Sequence, residues 1–117
     1  MFADKELDDA YYLYIDSTMV PDQETKNKAV EWFKNLNTVC CLVMKDGFAR
    51  ITAFYEDRPG EWFIKGVVGF NGLKCEFAIS ITELKEHGKD YFLKHAKAAT
   101  MKIFSEFSDN IFRQIQG

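Results

Sequence analysis

The dipeptides Asp46-Gly47 and Asn71-Gly72 constrain the fold of this chain more than any other feature of its sequence. Both tolerate the positive φ values that a two-residue type I′ hairpin needs, and such a turn fixes which residues lie opposite each other. The residues around them, from 38 to 81, are rich in apolar side chains. We therefore predict four antiparallel strands in this block, with Asp57-Arg58-Pro59-Gly60 as the middle connection and Pro-Gly at the centre of a type II turn.

The predicted turns set a register, and opposed residues share a face of the sheet. Around the first turn the predicted pairs are Met44–Ala49, Leu42–Ile51, Cys40–Ala53 and Thr38–Tyr55. Around the second turn they are Phe70–Leu73, Val68–Cys75, Gly66–Phe77, Ile64–Ile79 and Trp62–Ile81. Across the middle connection they are Tyr55–Trp62 and Phe54–Phe63. In this register Gly66 leaves room for Phe77 opposite it.

The register assigns every strand residue to one of two faces. The first face is apolar throughout and is expected to be the core: Cys40, Leu42, Met44, Ala49, Ile51, Ala53, Tyr55, Trp62, Ile64, Val68, Phe70, Leu73, Cys75, Phe77, Ile79 and Ile81. The second face mixes apolar and charged groups: Val39, Cys41, Val43, Phe48, Phe54, Phe63 and Val67 beside Lys45, Arg50, Thr52, Lys65, Lys74, Glu76 and Ser80.

Helical patterns flank the sheet on both sides in sequence. A first helix is predicted around Leu7, Tyr11, Tyr14 and Ile15, with Asp4 placed to cap it. A second is predicted from Pro21-Asp22 to about Leu36, burying Ala29, Trp32, Phe33 and Leu36. A helical turn from Thr82 to His87 ends at Gly88, and a long helix follows from about Lys89 to Gln116. The predicted fold is α+β, with two N-terminal helices, a four-stranded antiparallel meander sheet and a long C-terminal helix.

Length and composition point to one domain over residues 1–117, because a chain that is 47% hydrophobic can bury a core of its own. The sequence contains no run of about 18 apolar residues, so we predict no membrane span. The acidic start lacks the layout of a signal peptide, and three cysteines, an odd number, fit a reducing compartment. We therefore expect a cytoplasmic protein.

The formal charge of −3 is unevenly distributed, since residues 1–31 carry a net −5 and the remainder +2. An acidic end of this kind is typical of solvated helix surfaces. An acidic patch that meets a basic partner or imitates nucleic-acid phosphates is the alternative, but the three lysines among its eight acids dilute the charge.

The predicted helices exceed what one sheet face can cover. Four strands about 4.8 Å apart accommodate two helices packed about 8–10 Å apart, and three are predicted. A homodimer through the second face or the long helix is the plainest solution. The residues predicted to bind a partner are Val39, Val43, Phe48, Arg50, Phe54, Phe63, Lys65, Val67, Phe104 and Phe112.

No residue pattern in the sequence indicates catalysis. His87 and His95 are the only histidines and lack further ligands at workable spacing, so we predict neither a metal site nor a catalytic role for them. Strand alternation would send Cys40 and Cys41 to opposite faces, which argues against a zinc or redox pair. We predict no catalytic residues, no cofactor and no enzymatic activity.

The sequence favours a small protein-binding module that occludes or adapts a protein partner, of the kind used as inhibitors, immunity proteins and phage anti-defence proteins. Aromatic side chains flanked by cations on the second face leave a single-stranded nucleic-acid binder as one alternative, although the acidic total charge argues against it. A small-molecule binder or enzyme is the other alternative, with a pocket between Tyr11, Tyr14, Trp32, Tyr55 and Trp62.

Overall fold

The computed structural model describes Ile15 and residues 20–103. Its elements are helix α1 (Gln23–Val43), strands β1 (Phe48–Arg58), β2 (Glu61–Phe70) and β3 (Leu73–Ser80), and helices α2 (Ile81–His87) and α3 (Lys89–Met101). The strands form one antiparallel sheet in the order β1-β2-β3. The α+β class with an antiparallel sheet is confirmed. The predicted arrangement of two N-terminal helices, four strands and a long C-terminal helix is wrong.

Helix α1 begins where the sequence predicts, at a side-chain cap. One oxygen of Asp22 accepts a hydrogen bond from the Thr25 amide at 3.1 Å, and the other accepts one from the Thr25 hydroxyl at 2.8 Å. The first of these bonds satisfies an amide that the first helical turn leaves without a backbone partner. The predicted first helix lies outside the described residues, except for Ile15, which is buried in the core.

Helix α1 does not stop near Leu36 but continues through the segment predicted as the first strand. Phe33, Leu36 and Cys40 are fully buried at helical spacing, so they extend one apolar stripe along the helix. Thr38 adapts to the helix by donating its hydroxyl hydrogen to the Lys34 carbonyl at 3.1 Å. Burial of this stripe outweighs the strand propensity of the β-branched residues, because strand propensity depends on context.

The two Asx-Gly dipeptides adopt different turns. Asn71 and Gly72 have φ of 54° and 81°, as a type I′ hairpin requires, and four of the five pairs predicted for this hairpin are confirmed. The fifth, Trp62–Ile81, is wrong because Ile81 begins α2. The other dipeptide ends a turn in which the Gly47 amide donates to the Met44 carbonyl at 2.8 Å, and it joins α1 to β1.

The pairing of β1 with β2 departs from the predicted register by one residue. The register shifts between Ile51 and Ala53, so Thr52 forms a β-bulge there. The pairs beyond it are Phe54–Ile64 and Tyr55–Phe63. The predicted pairs Tyr55–Trp62 and Phe54–Phe63 are therefore wrong, because a slip of one residue exchanges the two faces of a strand. Pro59-Gly60 forms the tip, and Gly60 has the positive φ of 84° that a type II turn needs.

The described helices all pack on one face of the sheet. The buried residues of α1, α2 and α3 form a single cluster with Ala49, Ile51, Ile64, Val68 and Ile79, which defines the core face. The opposite side, which we call the open face, follows from the pairing of the strands. Its residues include Phe48, Arg50, Ala53, Tyr55, Arg58, Glu61, Phe63, Lys65, Val67, Gly69, Lys74, Glu76, Ala78 and Ser80.

The C-terminal part of the described chain is two short helices. Helix α2 ends as predicted at Gly88, which has φ of 71° and donates its amide hydrogen to the Leu84 carbonyl at 2.7 Å. The prediction of one helix from Lys89 to Gln116 is wrong, because α3 ends at Met101. The amides of Lys102 and Ile103 bond to carbonyls three residues earlier, and such bonds tighten a last turn. No helix in the described part of the chain is both long and apolar enough to cross a membrane.

Candidate functional site

A groove of about 550 Å³ lies on the open face. It crosses all three strands, and the residues that line it are Phe48, Arg50, Thr52, Val67, Lys74 and Glu76. The groove therefore combines an aromatic ring and an aliphatic floor with cations at its rim. Apolar groups with a few polar groups around them are typical of binding sites.

The floor of the groove is built by small and apolar residues of β2. The Phe48 ring lies directly over Gly69, where a β-carbon would collide with it. Val67, next to it on the same face, is only 7% exposed. The Arg50 guanidinium carbon is 5.8 Å from the centre of the Phe48 ring, within the range of a cation–π contact. The two groups thus form one amphipathic patch.

Charge on the open face is mainly positive. Arg50, Lys65 and Lys74 surround the carboxylate of Glu76, and nearer the tip of the β1–β2 hairpin Arg58 lies opposite Glu61. Lys65 and Glu76 form an ion pair at 3.1 Å, but their side chains are 45% and 59% exposed, so solvent screens the pair. Within the described part of the chain Lys74 makes no ion pair.

A second aromatic patch lies nearer the tip of the β1–β2 hairpin. The rings of Tyr55 and Phe63 stack with centroids 5.6 Å apart and planes 15° apart. Tyr55 remains 37% exposed. The predicted register places Tyr55 in the core, because no residue near Thr52 indicates the bulge that turns Tyr55 to the open face. Together with Phe48 and Val67, the stacked pair gives this face apolar groups along the length of the sheet.

Five of the ten residues predicted to bind a partner lie together on the open face: Phe48, Arg50, Phe63, Lys65 and Val67. Phe54 does not, because the bulge turns it to the core face, where it packs against the core cluster. Val39 and Val43 do not either, since they lie on α1 and pack against the same cluster. Phe104 and Phe112 lie outside the described residues.

The two histidines occupy helix surfaces. His87 lies 3.2 Å from Glu83, one turn earlier on α2, and Glu86 completes an exposed group whose ligand atoms lie within 4.8 Å of one another. Exposed side chains at this spacing meet on any helix surface, so the group does not by itself indicate a metal site. His95 has its Nδ1 atom 3.1 Å from the Tyr91 carbonyl oxygen and its ring against the Tyr91 ring.

The adjacent cysteines differ in burial and chemistry, although both lie on α1 and not on a strand. Burial raises the pKa of the Cys40 thiol to about 12, and the neighbouring Cys41 adds to the shift. Cys41 is exposed, and its Sγ atom lies 3.1 Å from the Gly47 carbonyl oxygen. Cys40 is thus a core residue, and Cys41 is the thiol that solvent reaches.

Of the aromatic residues predicted to line a small-molecule pocket, the three that the structure describes lie apart from one another. Trp32 borders a cleft of about 340 Å³ beside α2, and Trp62 borders a different cleft of about 300 Å³. Tyr55 borders neither of them and lies on the open face. Tyr11 and Tyr14 lie outside the described residues.

Comparison of the chain with known protein families, with curated proteins and with solved structures finds no match in any of the three. Function is therefore inferred from the geometry of the open face.

Proposed function

We propose that this protein is a small, non-enzymatic protein-binding module whose docking surface is the open face of its sheet. The observation that carries the proposal is the combination of Phe48, Tyr55, Phe63 and Val67 on a face that lies opposite all three described helices. Apolar and aromatic groups on an accessible face are typical of protein interfaces.

The chemistry of the groove supports a protein partner with acidic groups near its apolar contacts. Aromatic residues and arginine are enriched at interface positions that dominate binding energy, and Phe48 and Arg50 form such a unit. Arg50, Lys65 and Lys74 would face carboxylates of the partner, which favours its correct orientation. A module of this size acts by occluding or adapting its partner, as small inhibitors, immunity proteins and anti-defence proteins do.

The experiment is affinity capture from the source cells with three immobilised forms of the protein. The wild type and Leu42→Glu should retain the same partner, because Leu42 is 74% exposed on α1 and lies away from the open face. Phe63→Glu should lose that partner while its circular dichroism spectrum stays unchanged. The partner is then purified, and calorimetry with the same three forms should repeat the pattern. Equal binding by Phe63→Glu would contradict the proposal.

Single-stranded nucleic acid is the second candidate ligand for the same face. The Arg50 guanidinium above the Phe48 ring and the ammonium group of Lys74 favour it, because cations and stacking rings together bind single strands. The aliphatic floor at Val67 and the total charge of −3 favour a protein.

A further inference from the structure

The outer edge of β3 offers backbone groups to a partner. The Ser80 amide donates to the Tyr91 hydroxyl at 3.3 Å, so it points away from β2. Amide directions alternate along an antiparallel strand, and the amides of Lys74, Glu76 and Ala78 therefore point the same way. In the described part of the chain no strand lies beyond β3. Tyr91 occupies one end of this edge, and the stretch from Leu73 to Ala78 remains, where the Glu76 carbonyl oxygen also accepts a contact from the Cys75 thiol at 3.6 Å.

The other edge of the sheet is protected, which makes β3 distinctive. At β1, the Ala49 amide donates to the Asn37 side chain at 2.9 Å, and two register shifts break the regularity of the strand. Bulges and covering groups are the means by which proteins block edge pairing. β3 pairs with β2 in unbroken register over all of its length and contains no proline.

We propose that β3 pairs antiparallel with β3 of a second copy of this chain, with Lys74 opposite Glu76 of the other copy. The two-fold axis then passes between the two Cys75 residues. A two-fold contact repeats every pair, so Glu76 also faces Lys74 of the other copy. Opposite charges directly across a strand pair stabilise it. The pairing joins two sheets into one of six strands.

Charge selects this register over its neighbours. A hydrogen-bonded pair across the two-fold axis needs two residues whose amides point away from β2. Lys74, Glu76 and Ala78 therefore occupy the hydrogen-bonded positions in every alternative register. Centring the axis one residue earlier or later along β3 places Lys74 opposite Lys74 or Glu76 opposite Glu76, and like charges destabilise a strand pair. A further step toward the end of β3 brings in Ser80, whose amide is already bonded to Tyr91.

Apolar groups on the core side of the edge fit the same register. Leu73 is 54% exposed in the single chain, although its side chain lies on the core face. In the proposed pairing it lies opposite Phe77 of the second copy, which is half-buried and packs against the core cluster. Leu73 of each copy thereby gains an apolar neighbour, Phe77 of the other copy, and this contact occurs once on each side of the two-fold axis.

A charge exchange tests the register. Lys74→Glu places carboxylates at both positions 74 and 76, and Glu76→Lys places ammonium groups at both. Like charges would then face each other across the strand pair, so each variant alone should be monomeric. An equimolar mixture should form a heterodimer, because each carboxylate then meets an ammonium group. Native mass spectrometry resolves the two chains, and circular dichroism verifies the fold of each variant. Wild type should be a dimer at micromolar concentration.

Cys75 provides an independent distance test. At a non-hydrogen-bonded position the two Cα atoms lie about 4.5 Å apart, within the range a disulfide spans. Oxidation of the wild-type protein with diamide should give a covalent dimer on a non-reducing gel. Cys75→Ser should abolish it, and Cys41→Ser, which removes an exposed thiol elsewhere, should not.

Three outcomes would overturn the proposal. The first is a wild-type monomer throughout a dilution series in light scattering. The second is a dimer that survives in both charge variants. The third is a cross-link that requires Cys41 and not Cys75. The proposal is separable from the proposed function, because Phe63→Glu lies on the open face and should leave the dimer intact.

Discussion

The ring of Phe33 occupies the space beside Gly66 into which any side chain would have to extend. Phe33 is fully buried and also stacks on Phe77, with ring centroids 5.6 Å apart. We therefore expect Gly66→Ala to lower the free energy of unfolding by about 1–3 kcal/mol, the usual cost of overpacking a core. Urea denaturation measures the change.

Gly69→Ala is the matched control for that substitution. A β-carbon at Gly69 would meet the Phe48 ring, but Phe48 is half-buried on the open face and can turn toward solvent. The cost at Gly69 should be clearly smaller than at Gly66. Equal costs at the two positions would show that the tight packing of Phe33 is not what excludes a side chain from Gly66.

The Asp22 cap should give the protein an acid-dependent component of stability. The hydrogen bond from the Thr25 amide is the main cause that holds the pKa of this carboxyl below its usual range. The stabilisation that ionised Asp22 provides is therefore complete above the pKa of about 3.9 that this carboxyl has in the unfolded chain. It is lost as the pH falls through the lower pKa of the folded protein. Asp22→Ala should destabilise by about 1 kcal/mol at neutral pH.

Asp22→Asn separates the charge from the cap, because asparagine is also a favourable N-cap residue. At neutral pH, Asp22→Asn should lower the free energy of unfolding by less than Asp22→Ala does. This difference between Asp22→Asn and wild type should shrink below about pH 4. Thermal denaturation of the three proteins at several pH values makes the comparison. A deficit that grows on acidification would contradict the assigned direction of the pKa shift.

Cys40 and Cys41 should differ in reactivity in the native protein. A thiol with a pKa of about 12 has roughly a thousandfold less thiolate at a given pH than one near the ordinary value of 9.0. Iodoacetamide at mildly alkaline pH should therefore label Cys41 within minutes and leave Cys40 unmodified until denaturant is added. Peptide mass spectrometry identifies the sites. Labelling of native Cys40 as fast as Cys41 would mean that α1 opens on that timescale.

The open face should not bind nucleic acid as its main ligand. Filter binding with single-stranded DNA and RNA at several salt concentrations should show no binding at micromolar protein. If binding does occur and reflects neutralised phosphates, the double variant Arg50→Ala, Lys74→Ala should weaken it and reduce the salt slope by about 0.7 for each phosphate that is no longer neutralised. That result would favour the nucleic-acid alternative over the protein partner.

Local chemistry made part of the fold predictable from the sequence. The positive φ values at Asn71 and Gly72 follow from residue types that tolerate them, and the β2–β3 register follows from that turn. The N-cap at Asp22 and the helix end at Gly88 depend on equally local interactions. Each of these features involves only residues a few positions apart.

The features that the sequence did not reveal depend on tertiary contacts. Thr38–Val43 is compatible with a strand by propensity, and only the burial of Cys40 in line with Phe33 and Leu36 makes it helical. Asp46-Gly47 could form a hairpin turn, but α1 runs to Val43, so the dipeptide follows a helix, and a β-carbon at Gly47 would collide with the Cys40 carbonyl. The bulge at Thr52 has no local signature, so the exchange of Phe54 and Tyr55 between faces could not be foreseen.

The Asn71 amide donates to a carboxylate oxygen of Asp46 at 3.0 Å, and this bond joins two turns 25 residues apart in sequence. Each turn is held by contacts between residues close in sequence, so the β2–β3 hairpin and helix α1 can each form on a microsecond timescale before they meet. The bond between the turns forms when β1 pairs with β2, because Phe48 opposite Gly69 brings Asp46 beside Asn71, and this pairing requires closure of a longer loop. Asp46 and Asn71 thus report the step in folding at which β1 joins the β2–β3 hairpin in one sheet.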